Sequence, residues 1–124
     1  MTHDLVVAEI MARARKLGVL AHYCGRSQLC QGDKGLPDLL CVGLYFGAFI
    51  EVKMPHSANL SPEQTNWRHQ LRAAGFIHYV VGPGALGNGQ VDRILGYLAT
   101  GVTSGQAPEP PPPTAARAPA AAHP

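Results

Sequence analysis

Four residues could do chemistry together if folding brings them to one place: Asp38, Glu51, Lys53 and Gln64. Glu51 and Lys53 stand in "AFIEVK", a strand-like run whose other members, Phe49, Ile50 and Val52 among them, are apolar. A charge placed in such a run is costly to bury unless it is paired or holds an ion. Strand residues two apart share a face, so Glu51 and Lys53 point the same way. Asp38 lies thirteen residues before Glu51, in a second strand-like run, "LPDLLCVG". Between them "GLYFG" reads as a turn centred near residue 45, and the two runs read as a β-hairpin. Counting outward from that turn sets Asp38 opposite residue 51 or 52. Residues directly opposed in such a pair have Cβ atoms about 4.5–5.5 Å apart.

Two carboxylates that close repel unless something positive lies between them. An oxygen-seeking Mg²⁺ or Mn²⁺ relieves the repulsion, and the backbone carbonyl of Val52 can add a further oxygen. Lys53 is then placed to orient or deprotonate a water, or to steady charge on a phosphate under attack. Gln64 is three residues before Trp67 and opens a helix shortly after Lys53, so it reaches the same end of the sheet. It has a competing role, because "SPEQ" makes it the N3 member of a capping box on Ser61. Asp38 also has a plain alternative, since Pro-Asp is common at turns. Glu51 and Lys53 alone would pass for a surface ion pair worth less than about 1 kcal/mol. The convergence of all three, with apolar flanks, favours a site.

The elements that must hold these residues are visible in the patterning. Residues 4–17, "DLVVAEIMARARKL", predict a helix with Val6, Ile10, Ala14 and Leu17 on one face. Glu9 stands four before Arg13, a favourable surface pair. The Gly-rich stretch at 25–36 predicts a loop, and a strand follows from about Asp38, with Pro37 tolerated at its start. The second helix begins at Ser61 and ends at Gly75, with Trp67, Leu71 and Ala74 inward. "FIHYVV" predicts a third strand and "VDRILGYLA" a final helix with Val91, Ile94, Leu95 and Leu98 inward. The order α, β, β, α, β, α implies an α/β domain with a mixed sheet. Its strand–helix–strand passage requires a parallel pair joined by a right-handed crossover.

Composition narrows the function classes. The chain has 124 residues, 46% of them hydrophobic and 15% charged, with a formal net charge of +2. That suits a single globular domain, here residues 1–100, followed by a Pro- and Ala-rich tail over 101–124 expected to be disordered. The basic residues form no block, which argues against binding nucleic acid by charge alone. Three cysteines without a CxxC pair argue against a disulfide framework or a structural zinc, and predict reduced thiols. No run is long and apolar enough for a membrane span, and no leader pattern opens the chain, so a cytoplasmic protein is expected.

"GLPDLL", "IEVK" and "LSPEQTNWRHQLRAAGF", in that order, resemble the PD-(D/E)XK nuclease superfamily, and within it the virus-type replication-repair nuclease (VRR-NUC) domain. "ARKLGVLAHY" resembles the exit of that domain's first helix. The likeness covers about residues 4–99. It implies a restriction-endonuclease-like αβββ-type core and metal-dependent hydrolysis of phosphodiester bonds in DNA. On that resemblance Asp38, Glu51 and the Val52 carbonyl hold Mg²⁺ or Mn²⁺, Lys53 serves the reaction, and Gln64 joins the site. A further first-helix acid is implied, for which Asp4 has the right distance from "KLG" and Glu9 is the rival. His22 has a family counterpart that would touch phosphate. Arg26 and Lys34, in the loop leading to Asp38, and Arg68 and Arg72, on the second helix, are candidate phosphate contacts. With no added recognition domain, the expected substrate is branched or duplex DNA: a junction or flap met in replication, repair or recombination, in a host cytoplasm if the gene is a phage's. A homodimer would suit two cuts. The alternative is a non-catalytic DNA-binding or assembly module that kept the nuclease fold.

Overall fold

The structure is a computed structural model that describes residues 1–24 and 34–102. Helix α1 (His3–Lys16) leads into strand β1 (Leu20–Tyr23), followed by β2 (Leu39–Val42) and β3 (Gly47–Val52). A short 3₁₀ turn (Pro55–Ser57) precedes α2 (Pro62–Ala73), after which come β4 (Ile77–Val81), α3 (Gly84–Gly87) and α4 (Gln90–Thr100). The αβββ core and mixed sheet expected from the sequence are present. The element order read from patterning lacked β1, and the structure corrects it. "LAHY" alternates only between exposed and half-buried positions at the sheet edge, so it carries no strong apolar signal.

The four strands run in the spatial order β1-β2-β3-β4, with β1, β2 and β3 antiparallel and β3 parallel to β4. The β2–β3 register pairs Leu39 with Ile50 and Val42 with Gly47, so the hairpin turns between 44 and 45. Continued by one residue, that register sets Asp38 opposite Glu51. The turn is tied down by α4: the Leu98 carbonyl accepts from the Tyr45 and Phe46 amides at 3.2 and 3.3 Å. Gly43 passes so close to this carbonyl that a Cβ there would lie 2.2 Å from it, which leaves room for glycine alone.

One sheet face carries the core. Leu39, Cys41, Ala48, Ile50, Val52, Tyr79 and Val81 pack there against Val6, Val7, Ile10 and Ala14 of α1 and Val91, Ile94, Leu95 and Leu98 of α4. At about 1.5–3 kcal/mol for each fully buried large side chain, this face supplies most of the driving force. Helix α2 lies on the opposite face, beside β4, and is thinly packed: Leu71 is its one buried residue. Two expected inward positions are therefore corrected. Ala74 is exposed, and so is Leu17, because each falls at the last turn where its helix leaves the sheet. Cys41 is free and buried, but Cys24 is disulfide-bonded, with the partner sulfur outside the described residues. An odd count of three leaves room for one pair and one thiol. The tail beyond Val102 also lies outside the described residues.

Candidate active site

The alternation of β3 sends Ala48, Ile50 and Val52 into the core, and Phe49, Glu51 and Lys53 to the α2 side. Glu51 is nonetheless only 3% exposed. Asp38, just before β2, points to the same side, and its Oδ2 accepts the backbone N–H of Val52 at 2.8 Å. That bond pins the acid across the open end of the hairpin, one residue beyond the last strand pair. Burial, with the neighbouring Asp38 charge and a side-chain hydrogen bond to Asp38, pushes the Glu51 carboxyl up to about 8, against a smaller lowering by Lys53. Ionising Glu51 beside Asp38 in so confined a place is costly, and a cation between them would relieve that cost.

Gln64 performs both of its expected roles at once, because an amide has two ends. Its Oε1 accepts from the Ser61 backbone N–H at 2.9 Å, while its own backbone N–H donates to the Ser61 hydroxyl at 3.1 Å. Its Nε2 donates to Glu51 Oε2 at 3.2 Å. The loop before Asp38 is fixed against the same helix. Trp67 Nε1 donates to the Lys34 carbonyl at 3.0 Å, and Gly35, at φ +97°, lies against the Glu63 backbone. Asp38, Glu51, Val52, Lys53 and Gln64 thus line one cleft of about 650 Å³, together with His3.

The first helix reaches this cleft with His3, which the sequence reading passed over. His3 Nε2 lies 3.2 Å from Asp38 Oδ2 and 3.2 Å from the Val52 carbonyl. Asp4 does not join the pair; it accepts from the Tyr23 hydroxyl at 3.1 Å and stands 3.8 Å from His3 Nδ1. Glu9 is ion-paired with Arg13 at 2.8 Å, as its spacing indicated. The periodic signal for His3 was available: it precedes Val6 by three and Val7 by four, so it extends the buried face. Asp4 falls on the solvent side of that stripe.

The expected phosphate contacts scatter. Arg26 lies outside the described residues. Lys34 lines a separate cleft with Glu63, Asn66, Trp67 and Gln70. His22 is exposed on the edge strand. Arg68 is not on the outer side of α2: its guanidinium meets His78 Nδ1 at 2.7 Å beneath the helix, and His78 is 3% exposed. Arg72 is half-buried along a shallow groove with Arg68 and His69. Among the described residues, no helix is long and apolar enough to cross a membrane.

Comparison with known proteins agrees with this geometry. A solved structure described as a VRR_NUC domain is similar, with a TM-score of 0.55 and 28% sequence identity, over 76% of this chain and 94% of the other. No curated protein matches. The family model of the VRR-NUC domain matches residues 3–82, which span α1 through β4 and include every cleft residue named above. With that match over most of the chain, and with the paired acids at the hairpin's open end, the chain belongs to the VRR-NUC family of nuclease-type domains that act on DNA.

Proposed function

We propose that the protein is an endonuclease that hydrolyses phosphodiester bonds in DNA, dependent on Mg²⁺ or Mn²⁺ and selective for branched structure. The observation that carries this is the pair of neighbouring carboxyls, Glu51 buried and Asp38 half-buried, with the Val52 carbonyl and Lys53 at the same cleft. The donor set fits a hard divalent cation: two carboxylates and a carbonyl, with burial and the Asp38 charge pushing the Glu51 carboxyl up to about 8. When bound, the metal supplies a Lewis acid that acidifies water and offsets phosphate charge. Asp38 and Glu51 hold it, and the Val52 N–H holds Asp38 in place. Gln64 orients the Glu51 carboxyl. Lys53, with its stem packed at the strand end, places an ammonium where a phosphate would gain negative charge.

Structure selectivity is expected because the charged groups at the cleft, Asp38, Glu51 and Lys53, address an ion and a phosphate rather than base edges. A homodimer would supply two such clefts for two strands. Exposed Leu40, Val42, Leu44, Tyr45 and Phe76 offer an apolar surface for it, and light scattering on the full chain would read the dimer mass directly. The decisive assay incubates the protein with a four-way junction, a flap, duplex and single-stranded DNA in Mg²⁺, Mn²⁺ or EDTA, beside Asp38→Ala. Metal-dependent cutting of the branched substrates, lost in the variant, is expected. No cutting of any substrate, with binding retained, would favour a non-catalytic DNA-binding module instead. Equal cutting of all substrates would remove the selectivity.

A further inference from the structure

We infer that His3 is a nitrogen ligand of the same cation, held in place by Asp4 and Tyr23, and that it shifts the site's preference from Mg²⁺ toward transition ions. This rests on the reading of Asp38, Glu51 and the Val52 carbonyl as a metal site. A single atom, His3 Nε2, is 3.2 Å from two of those oxygens, Asp38 Oδ2 and the Val52 carbonyl. Adjacent donors of an octahedral ion with bonds of about 2.0–2.1 Å stand roughly 3 Å apart. Nε2 is thus spaced from each of the two oxygens as neighbouring donors of such a shell are.

Among the described residues, no three His, Cys, Asp and Glu side chains form a ready-made cage. The third oxygen here belongs to the main chain, which a count of side chains leaves out. The imidazole's other edge is provided for as well. Nδ1 faces the Asp4 carboxylate at 3.8 Å, and Asp4 is itself held by the Tyr23 hydroxyl at 3.1 Å. Without an ion, Nε2–H donates to these two oxygens; a bound cation would leave the ring proton on Nδ1, on the Asp4 side, and take the Nε2 lone pair, the orientation common in metal-bound histidines. The helix gives the ring its position. Thr2 caps the first turn of α1, and Val6 and Val7, on the stripe that His3 begins, are at most 1% exposed.

The consequence is chemical. Carboxylates and carbonyls suit Mg²⁺ and Mn²⁺, whereas an imidazole raises affinity along the series from Mn²⁺ through Co²⁺ to Ni²⁺. The site is therefore expected to bind Co²⁺ and Mn²⁺ more tightly than Mg²⁺, and His3 is the reason.

The test uses the full chain, stripped with EDTA and dialysed. Mn²⁺ is the spectroscopic probe, and calorimetry reads Co²⁺ and Mg²⁺. Pulsed EPR of the Mn²⁺ complex should show coupling to one imidazole ¹⁴N in the wild type. In His3→Ala the ion should still bind but the coupling should vanish, with Co²⁺ affinity falling about 10–100-fold and Mg²⁺ affinity changing much less. His3→Asp should narrow the gap between Co²⁺ and Mg²⁺ affinity without restoring the ¹⁴N coupling. Circular dichroism checks that the variants fold. Bound Mn²⁺ without ¹⁴N coupling in the wild type would overturn the role of His3 and leave the metal site intact. Coupling that persists in His3→Ala would overturn it too, pointing to His56 on the cleft wall. No saturable binding of any ion by the wild type would overturn the metal site itself, and this inference with it.

Discussion

Glu51→Gln should stabilise the metal-free protein at alkaline pH and abolish its capacity to hold a cation. Glu51 is 3% exposed, and burial and Asp38 push its carboxyl from an ordinary 4.5 up to about 8. Below about pH 4.5 the carboxyl is protonated in both folded and unfolded chains, so its contribution to stability is fully present. Between 4.5 and about 8 the unfolded chain releases the proton while the folded chain keeps it, so stability falls as pH rises; past about 8 the loss is complete. Each pKa unit corresponds to about 1.4 kcal/mol, which sets a ceiling of roughly 5 kcal/mol. Water entry and relaxation lower such figures, since buried sites behave with an effective dielectric near 20, and about 2–3 kcal/mol is the expected loss. A glutamine does not ionise. Its carbonyl can still accept from Gln64 Nε2, and its amide can donate toward Asp38. Urea denaturation in EDTA at pH 5, 7 and 9 is the assay, with Glu51→Gln minus wild type as the measured quantity. Other titrating groups are common to both proteins and largely cancel. The difference should be near zero at pH 5 and grow to about 2–3 kcal/mol at pH 9, or roughly 10–20 °C in Tm for a domain of this size. Added Mn²⁺ should then stabilise the wild type alone. Parallel pH curves in EDTA would refute the claim that a strained carboxyl is kept here for ion binding.

Two further perturbations probe how the site is positioned. Gly35→Ala places a side chain at φ +97° with its Cβ 2.5 Å from the Glu63 carbonyl carbon; it should cost about 1–3 kcal/mol of backbone strain and lower metal affinity by displacing Asp38, read by denaturation and calorimetry together. Ser61→Ala should remove only the cap, costing about 1 kcal/mol, whereas Gln64→Ala removes the cap and the Glu51 contact, so a double-mutant comparison with Glu51→Ala should show coupling for Gln64 and none for Ser61.

The parts of the site that were legible in the sequence are those set by short-range geometry. A tight turn fixes a hairpin's register to within a residue, so the position of "GLYFG" sets Asp38 opposite residue 51 or 52, and the observed pairing selects Glu51. The capping box is likewise local, and "SPEQ" announces it. Less legible were the edge strand β1, whose neighbours expose it on one side, and the course of α2, which buries little. Arg68 was misplaced for the second reason: with few buried positions the helical stripe is weak, and the guanidinium's partner, His78, lies on a strand ten residues later.

The place of His3 is legible in periodicity: the stripe Val6, Val7, Ile10 and Ala14 projects back to position 3, not 4, which turns His3 toward the cleft and Asp4 toward solvent. Orientation decides here before residue type. A side chain's direction is set by the helix that carries it, and only a group that faces the cleft can use its chemistry there. His3 continues the buried stripe of α1, whereas Asp38 and Glu51 face away from the core, each beside core residues: Leu39 follows Asp38, and Ile50 and Val52 flank Glu51. The core that holds the fold thus fixes the backbone from which all three groups reach the cleft.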